Sequence, residues 1–600
     1  MASTLPSLSL EEANDRTASN LPSPSLEELD EDKKSLNLLS DESRPSGAAT
    51  KQHSNRSTTE AAAPGSKIQK YFGSSTTPPP RTLKSRHLTL ISIGGTIGTG
   101  IFFSLGSSVA TAGAGGALVS YILVGLFCLG VVLLLGEMSS FIPVSGTFSL
   151  YATRFVSPAL GFTLGWSYWL QWTFSIPSEL IAASTILSYW TDALKTWEWS
   201  LIIIVPVFAF QFLGTRAWGE AEFYLAYIKV ILIVVFIIVG LIYDWGGVIG
   251  HPGPGLSNFN DNPFANGFAG TAQSFTYAFY SFGGVELVTL AAGETANPQK
   301  AIPRAIRGTF ARIVLFYVLT CLVIGLCINY QDPSLFTAYS ESDVSASPIT
   351  TVFRLAGFGA AVHVVNAVLL TAVLSATNSC FYASSRMLLS LARQGDAPKV
   401  FSWVTPSGVP VPALLITLAI SFFSFLTAVW GSGQAFTWLI SVTGILALVT
   451  WLSIAVINIR FRLAFKRQGR SLEDLPFKAP FSPFLAIWVI LLGVLMLAAN
   501  GWAPTTYGDT PSQLAKDEVA VWIGLAYFLI LYVGYSIHQK LTTKTPHFVS
   551  LSEVDLKTGA VWGEGGGREW RETEALEKQE LKKEKGTKGY ILHRIKDSLW

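Results

Sequence analysis

The sequence predicts an all-α membrane protein of twelve transmembrane helices, and three observations predict it. Half of the 600 residues are hydrophobic and only 14% are charged, with a positive mean hydropathy, whereas soluble globular chains run nearer a quarter charged. Apolar runs of about 20 residues, the length that crosses a hydrocarbon core, recur from His87 onward. Lys and Arg fall unevenly between alternate connections, as the retention of positive charge on the cytoplasmic side requires.

The runs lie near 88–111, 114–142, 159–190, 200–213, 222–243, 270–292, 312–330, 359–385, 411–430, 436–456, 482–500 and 519–537. Residues 1–86, with blocks such as SLEELDEDKK and GSSTTPPP, read as a disordered tail. No apolar core followed by a small-residue cleavage site precedes the first run, so that run is expected to direct insertion. Residues 541–600 turn charged and are expected to form a second soluble tail with room for an amphipathic helix. With the N-terminus inside, fifteen Lys and Arg between Arg154 and Lys478 fall in inner connections. Only Lys195, Arg354 and Lys516 fall in outer ones. Both tails are thus expected in the cytoplasm.

Net charge is +2, which gives no reason to expect a nucleic-acid partner. Cys128, Cys321, Cys327 and Cys380 sit inside apolar runs without metal-ligand spacing, as small packing residues do. No nucleophile elbow, zinc-protease motif or nucleotide loop is present, so an enzyme is not expected, nor is any cofactor. The glycines of GGTIGTG run G-x-x-G-x-G, reversed from the dinucleotide fingerprint, with no βαβ unit after them.

Two runs carry breaks near their middles. The first contains SIGGTIGTGIFF, with Gly94, Gly95, Gly98 and Gly100; the sixth contains YSFGGVELVTLAAGE, with Gly283 and Gly284. Each glycine costs a helix roughly 1 kcal/mol relative to Ala, and freed backbone groups in lipid cost more. Tight packing through small residues explains one such segment. It explains less well why Glu286 stands beside the second. If runs 1–5 and 6–10 are two halves, the broken runs correspond, the mark of a five-plus-five inverted repeat with a midplane site. A half-helix beginning near Thr99 and Gly100 offers amides to an anion, and one ending near Thr96 offers carbonyls to a cation. A zwitterion presents both charges, and Tyr280 and Phe282 beside the second break can cover it.

Charges at membrane depth need a partner or a function. Glu286 can bond liberated amides, hold a proton, pair with a ligand ammonium, or cap the broken helix. Lys229 in EFYLAYIK either snorkels to the interface or stands where a coupling cation would bind. Glu137 and Glu294 read as anchors near inner ends. Glu179 reads as a counter-charge for a cationic ligand, and His363 as an ordinary polar residue at a helix start.

The runs GGTIGTGIF, GEMSSFIPVSGTF, YATRFVSPALGFTLGWSYW, GGVELVTLAAGETANPQKAIPRAI, LSATNSCFYASSRML and FRLAFKRQGRSLEDLPFKAP resemble, in order over about 87–540, the amino acid permeases of the amino acid–polyamine–cation superfamily. Fungal amino acid permeases and bacterial lysine permeases share this likeness. The resemblance implies proton-driven uptake of amino acids at the plasma membrane. It implies that Gly98, Thr99 and Gly100 meet the substrate carboxylate, and that Thr96, Ser281 and Phe282 meet its ammonium. Tyr280 would gate the site, Lys229 would couple protons, and Glu286 would matter for transport. Gln171, Glu179, Asn378 and Thr443 are expected to line a side-chain pocket, with basic amino acids favoured and a broad neutral range the alternative. The chain ends in Leu599-Trp600, where many fungal members carry Phe-Trp-Cys, so lipidation is not supported there.

Other functions remain open on the residues alone. A channel would want a continuous polar pore; a nutrient sensor could keep the binding site and signal through the tails. Tail lysines can accept ubiquitin or engage trafficking machinery, as any exposed lysine can.

Overall fold

The computed structural model describes residues 97–144, 147–248, 250, 252–287, 298–335, 347–506, 511–542 and 546–599. Helices dominate, with no β-strand among the described residues. Nine helices in that set are long and apolar enough to cross a membrane. The longest runs from Gly100 to Phe141 over 42 residues, too many for one crossing.

Glycine 113 divides it. With φ 75° and ψ 172° this residue leaves the helical region inside α1 (Leu105–Phe141), a conformation that a side chain would resist. The freed amides of Gly115 and Gly116 donate to the carbonyl of Pro263 at 2.8 and 3.0 Å. A Cβ on Gly113 would fall 2.6 Å from that same oxygen. The break falls between the first and second expected runs.

Two expected runs are not among the nine. Helix α2 (Pro158–Ser188) has the length, 31 residues, but Gln171, Glu179 and many hydroxyl and aromatic side chains reduce its apolarity. Most of them are buried against protein, so lipid does not have to accommodate them. Helix α3, for the fifth run, spans Gly214–Asp244. Helix α4 (Gly267–Phe282) stops after 16 residues, where Gly283 leaves the helix and Gly284 takes φ 86°. The sixth run is therefore interrupted where the glycine pair predicts. Residues 288–297, including Glu294, lie outside the described residues, as do Gly94, Gly95 and Thr96.

Helix α4 packs along α1, and α2 packs against α5 (Gly359–Gln394) and α6 (Ser432–Arg467). The candidate site lies between these two groups. All four cysteines are buried free thiols.

One end of the bundle is fastened by charge. Glu137, fully buried near the end of α1, accepts from Arg462 Nε at 2.7 Å, from Asn458 Nδ2 at 3.2 Å and from the Ala479 amide at 2.7 Å. A second bond from Arg462 Nη2 makes the pair bidentate. The anchoring role expected for Glu137 matches this geometry. At the same end, residues 549–565 run across the helix termini: the Val549 and Val561 amides donate to Val156 and Phe141 carbonyls at 2.9 Å. Gln468 Nε2 reaches the Val554 carbonyl at 2.8 Å, Arg470 Nη1 the Leu556 carbonyl at 3.0 Å, and Trp562 Nε1 the Asp474 carbonyl at 2.7 Å. The polar C-terminal stretch is thus strapped to the bundle before helix α7 (Gly566–Leu599) begins.

Removing one member of a buried ion pair costs about 3–5 kcal/mol because the other charge is stranded. Arg462→Met is expected to lower the thermal midpoint of the detergent-purified protein, and adding Glu137→Gln to recover part of the loss. Calorimetry or a thiol-dye melt measures both.

Candidate functional site: a cavity where two helix ends meet

A cavity of about 530 Å³ of empty space, its opening included, lies where the chain leaves regular helix at Gly98–Ser104 and at Gly283. Its walls include Gly98, Gly100, Gln171, Glu179, Tyr280, Ser281 and Thr443 from the sequence-expected set. Trp172, Ser175, Phe279, Gly283, Ala376, Ser379, Cys380 and Ala447 complete them.

The two interruptions touch. From Gly100 to Ser104 the backbone makes a wide π-helical turn. The Ser281 hydroxyl donates to the Gly100 carbonyl at 2.8 Å and meets the Tyr121 hydroxyl at 2.8 Å. A Cβ at Gly100 would lie 2.5 Å from Ser281 Cα, and one at Gly98 2.7 Å from both Ala376 Cβ and Glu179 Oε1. Backbone and short side chains cannot yield, so both positions need glycine.

At the helix start stands a carboxylate. Glu179 Oε1 accepts from the Thr99 hydroxyl at 2.9 Å and from the Thr99 amide at 3.4 Å, with the Tyr280 hydroxyl also at 3.4 Å. Thr99 and Tyr280 hydroxyls are themselves 2.7 Å apart. This is the place for a negative charge: free N–H groups and the positive end of the helix dipole meet there. Glu179 Oε2 is buried with no hydrogen-bond partner among the described residues.

Three hydroxyl donors around the cavity are already engaged. Ser175 and Thr443 hydroxyls donate to carbonyls of their own helices at 2.9 and 3.0 Å, and Ser379 donates to Glu222 at 3.2 Å. Among the described residues, the cavity-lining atoms without a hydrogen-bond partner are two acceptors, Glu179 Oε2 and Gln171 Oε1, and one donor, the Trp172 indole N–H. The two acceptors suit ligand N–H groups and positive charge, and the indole suits a ligand acceptor.

Residues 87–547 match the amino acid permease family. The chain belongs to that family. The lysine-specific permease LysP of Escherichia coli is 41% identical over 482 residues, covering 79% of this chain and 96% of that protein. The histidine permease HisP of Lactococcus lactis is 39% identical over 487 residues, 79% of this chain and 98% of that one. The general amino-acid permease GAP2 of Candida albicans is 37% identical over 484 residues, 80% of this chain and 81% of that one. All three are carriers rather than enzymes.

Several expected residues of this permease stand apart from the cavity. Phe282 packs on Tyr317 and Tyr121, with ring centroids 4.3 and 5.9 Å away. Asn378 turns to Gln211, whose amide nitrogen bonds its Oδ1, while its neighbours Ser379 and Cys380 face the cavity. Glu286 is fully buried and accepts from the Trp451 indole at 3.2 Å, behind the wall. Lys229 pairs with Glu222 at 3.1 Å, also behind it. Sequence reading passed over Glu222; its seven-residue spacing from Lys229, two helical turns, was the available signal.

Gly98→Val is expected to abolish amino acid binding while the protein still inserts. Retained saturable binding in scintillation proximity assays would move the site elsewhere.

Proposed function

We propose that this permease imports amino acids, cationic ones preferentially, across the plasma membrane by proton symport with alternating access. The observation that carries the preference is the buried Glu179 carboxylate: one oxygen occupies the Thr99 end of the helix and the other has no partner in the cavity wall. An unpaired buried carboxylate oxygen is costly, and a ligand ammonium removes that cost. The 41% and 39% identities to a lysine-specific and a histidine permease support the same lean.

The mechanism follows from what Glu179 occupies. At the Thr99 amide it does what the carboxylate of a zwitterion would do there. Two carboxylates repel at that distance. Entry of the substrate carboxylate toward Gly98, Thr99 and Gly100 therefore requires Glu179 either to take a proton or to swing toward the substrate's positive charge. Tyr280, bonded to both Thr99 and Glu179, is released by the same exchange and can close over the ligand.

In this reading the chain crosses the bilayer twelve times, in two inverted halves of five helices plus two, with both tails in the cytoplasm. The nine apolar helices, the break at Gly113 and the shorter α4 and polar α2 support that count. Lys229 carries the coupling proton. A broader range that includes neutral amino acids has its own support in the likeness to a general permease, and a competition panel separates the two.

In vesicles, unlabelled lysine and arginine should compete for labelled lysine uptake at least tenfold better than leucine, the roughly 1.4 kcal/mol that one favourable charge contact supplies. Glu179→Gln should erase that advantage; an unchanged ranking would remove Glu179 from substrate selection. Lys229→Met should leave uptake insensitive to an imposed pH gradient, whereas stimulation equal to the wild type's would take Lys229 out of coupling.

A further inference from the structure

Lys229 and Glu222 face the same side of α3, two turns apart, with Nζ and Oε1 at 3.1 Å and each side chain 1% exposed. Their charges cancel, so α3 carries no net charge through this buried stretch. The second oxygen of Glu222 leaves the helix: Oε2 accepts from Ser375 Oγ at 2.6 Å and from Ser379 Oγ at 3.2 Å, both on α5 and one turn apart. Ser379 lines the cavity, and so do Ala376 and Cys380 from the same turn. One carboxylate therefore spans the gap between the buried lysine and the wall that a substrate touches.

Among the described residues, Glu179, from α2, feels the charge of Lys229, and Cys380, from α5, feels both members. When Lys229 gives up its proton, Glu222 is left with an uncompensated negative charge inside the protein. The hydroxyls of Ser375 and Ser379 are the neutral donors already in contact with it, and a carboxylate that has lost its cation draws such donors closer. That movement belongs to the turn of α5 that forms the cavity wall.

We propose that Glu222 is a positioning residue for proton coupling: it holds Lys229 in its charged form and passes the loss of that proton, through Ser375 and Ser379, to the substrate cavity. The proposal rests on the proton-symport reading given above. A pair that only braces α3 would share the distances but would not link the proton gradient to the substrate.

The test uses the full chain in proteoliposomes and measures labelled lysine two ways in the same preparation, as exchange without a gradient and as uptake driven by an inside-alkaline interior. The ratio of driven uptake to exchange is the readout, since misfolding lowers both together. If the wild type shows no saturable exchange, the transport reading itself fails; if it exchanges but ignores the gradient, proton symport fails. With both present, Glu222→Gln is expected to lower the ratio roughly tenfold, within the usual range of coupling between linked sites. Glu222→Asp should restore part of it, and Ser379→Ala should move it the same way by less. A Glu222→Gln ratio equal to the wild type's, with exchange and uptake falling in step, overturns the proposal. Should that variant fail to insert, Glu222→Gln combined with Lys229→Met removes both charges and strands neither. The double variant is expected to exchange lysine without gradient dependence, and driven uptake at the wild-type ratio would overturn the proposal equally.

Discussion

Peptide groups released from a helix inside an apolar medium must find new partners, and the arrangement of this permease follows from where they find them. At Gly113 the partner is the Pro263 carbonyl, which takes the amides of Gly115 and Gly116. At Gly100 the carbonyl takes the Ser281 hydroxyl beside the Leu105 amide of its own helix. At Thr99 the partner is a side-chain carboxylate, that of Glu179. The first two are closed arrangements in which neutral groups satisfy each other. The third is open, because a charged side chain stands in a cavity with one oxygen unpaired, and an incoming anion can compete for its place.

Buried charge is distributed by the same logic. Glu137 is saturated by Arg462, Asn458 and the Ala479 amide and fastens one end of the bundle. Glu222 is saturated by Lys229 and two serines, but those serines belong to the wall of the cavity. Glu286 is held by an indole behind the wall. These buried carboxylates thus differ less in burial than in what surrounds them.

Much of this was legible in the sequence, because membrane burial imposes strong patterns. Apolar length located the helices, and the glycine pair of the sixth run marked where α4 ends, since lipid tolerates a broken helix only where protein or ligand satisfies it. Glu179, Gln171, Tyr280, Ser281 and Thr443 line the cavity. Orientation was less legible: neighbouring residues on a helix point about 100° apart, so Asn378 faces Gln211 while Ser379 faces the cavity. Phe282 likewise turns into an aromatic cluster one residue after Ser281 meets Gly100. Glu222 stands in the polar opening of its run, where a charge reads as interfacial, and only the fold shows it fully enclosed. The strap formed by residues 549–565 was hidden for a different reason, since its bonds use backbone groups that carry no composition signal.

The proposed role of Glu179 is to hold the position that a substrate carboxylate takes on binding. A structure of the lysine-bound protein tests it most directly. The account predicts the lysine carboxylate on the amides of Thr99 and Gly100, and Glu179 moved beyond hydrogen-bonding distance of the Thr99 amide. Lysine bound with the Glu179–Thr99 contact intact, or in another cavity, would contradict it.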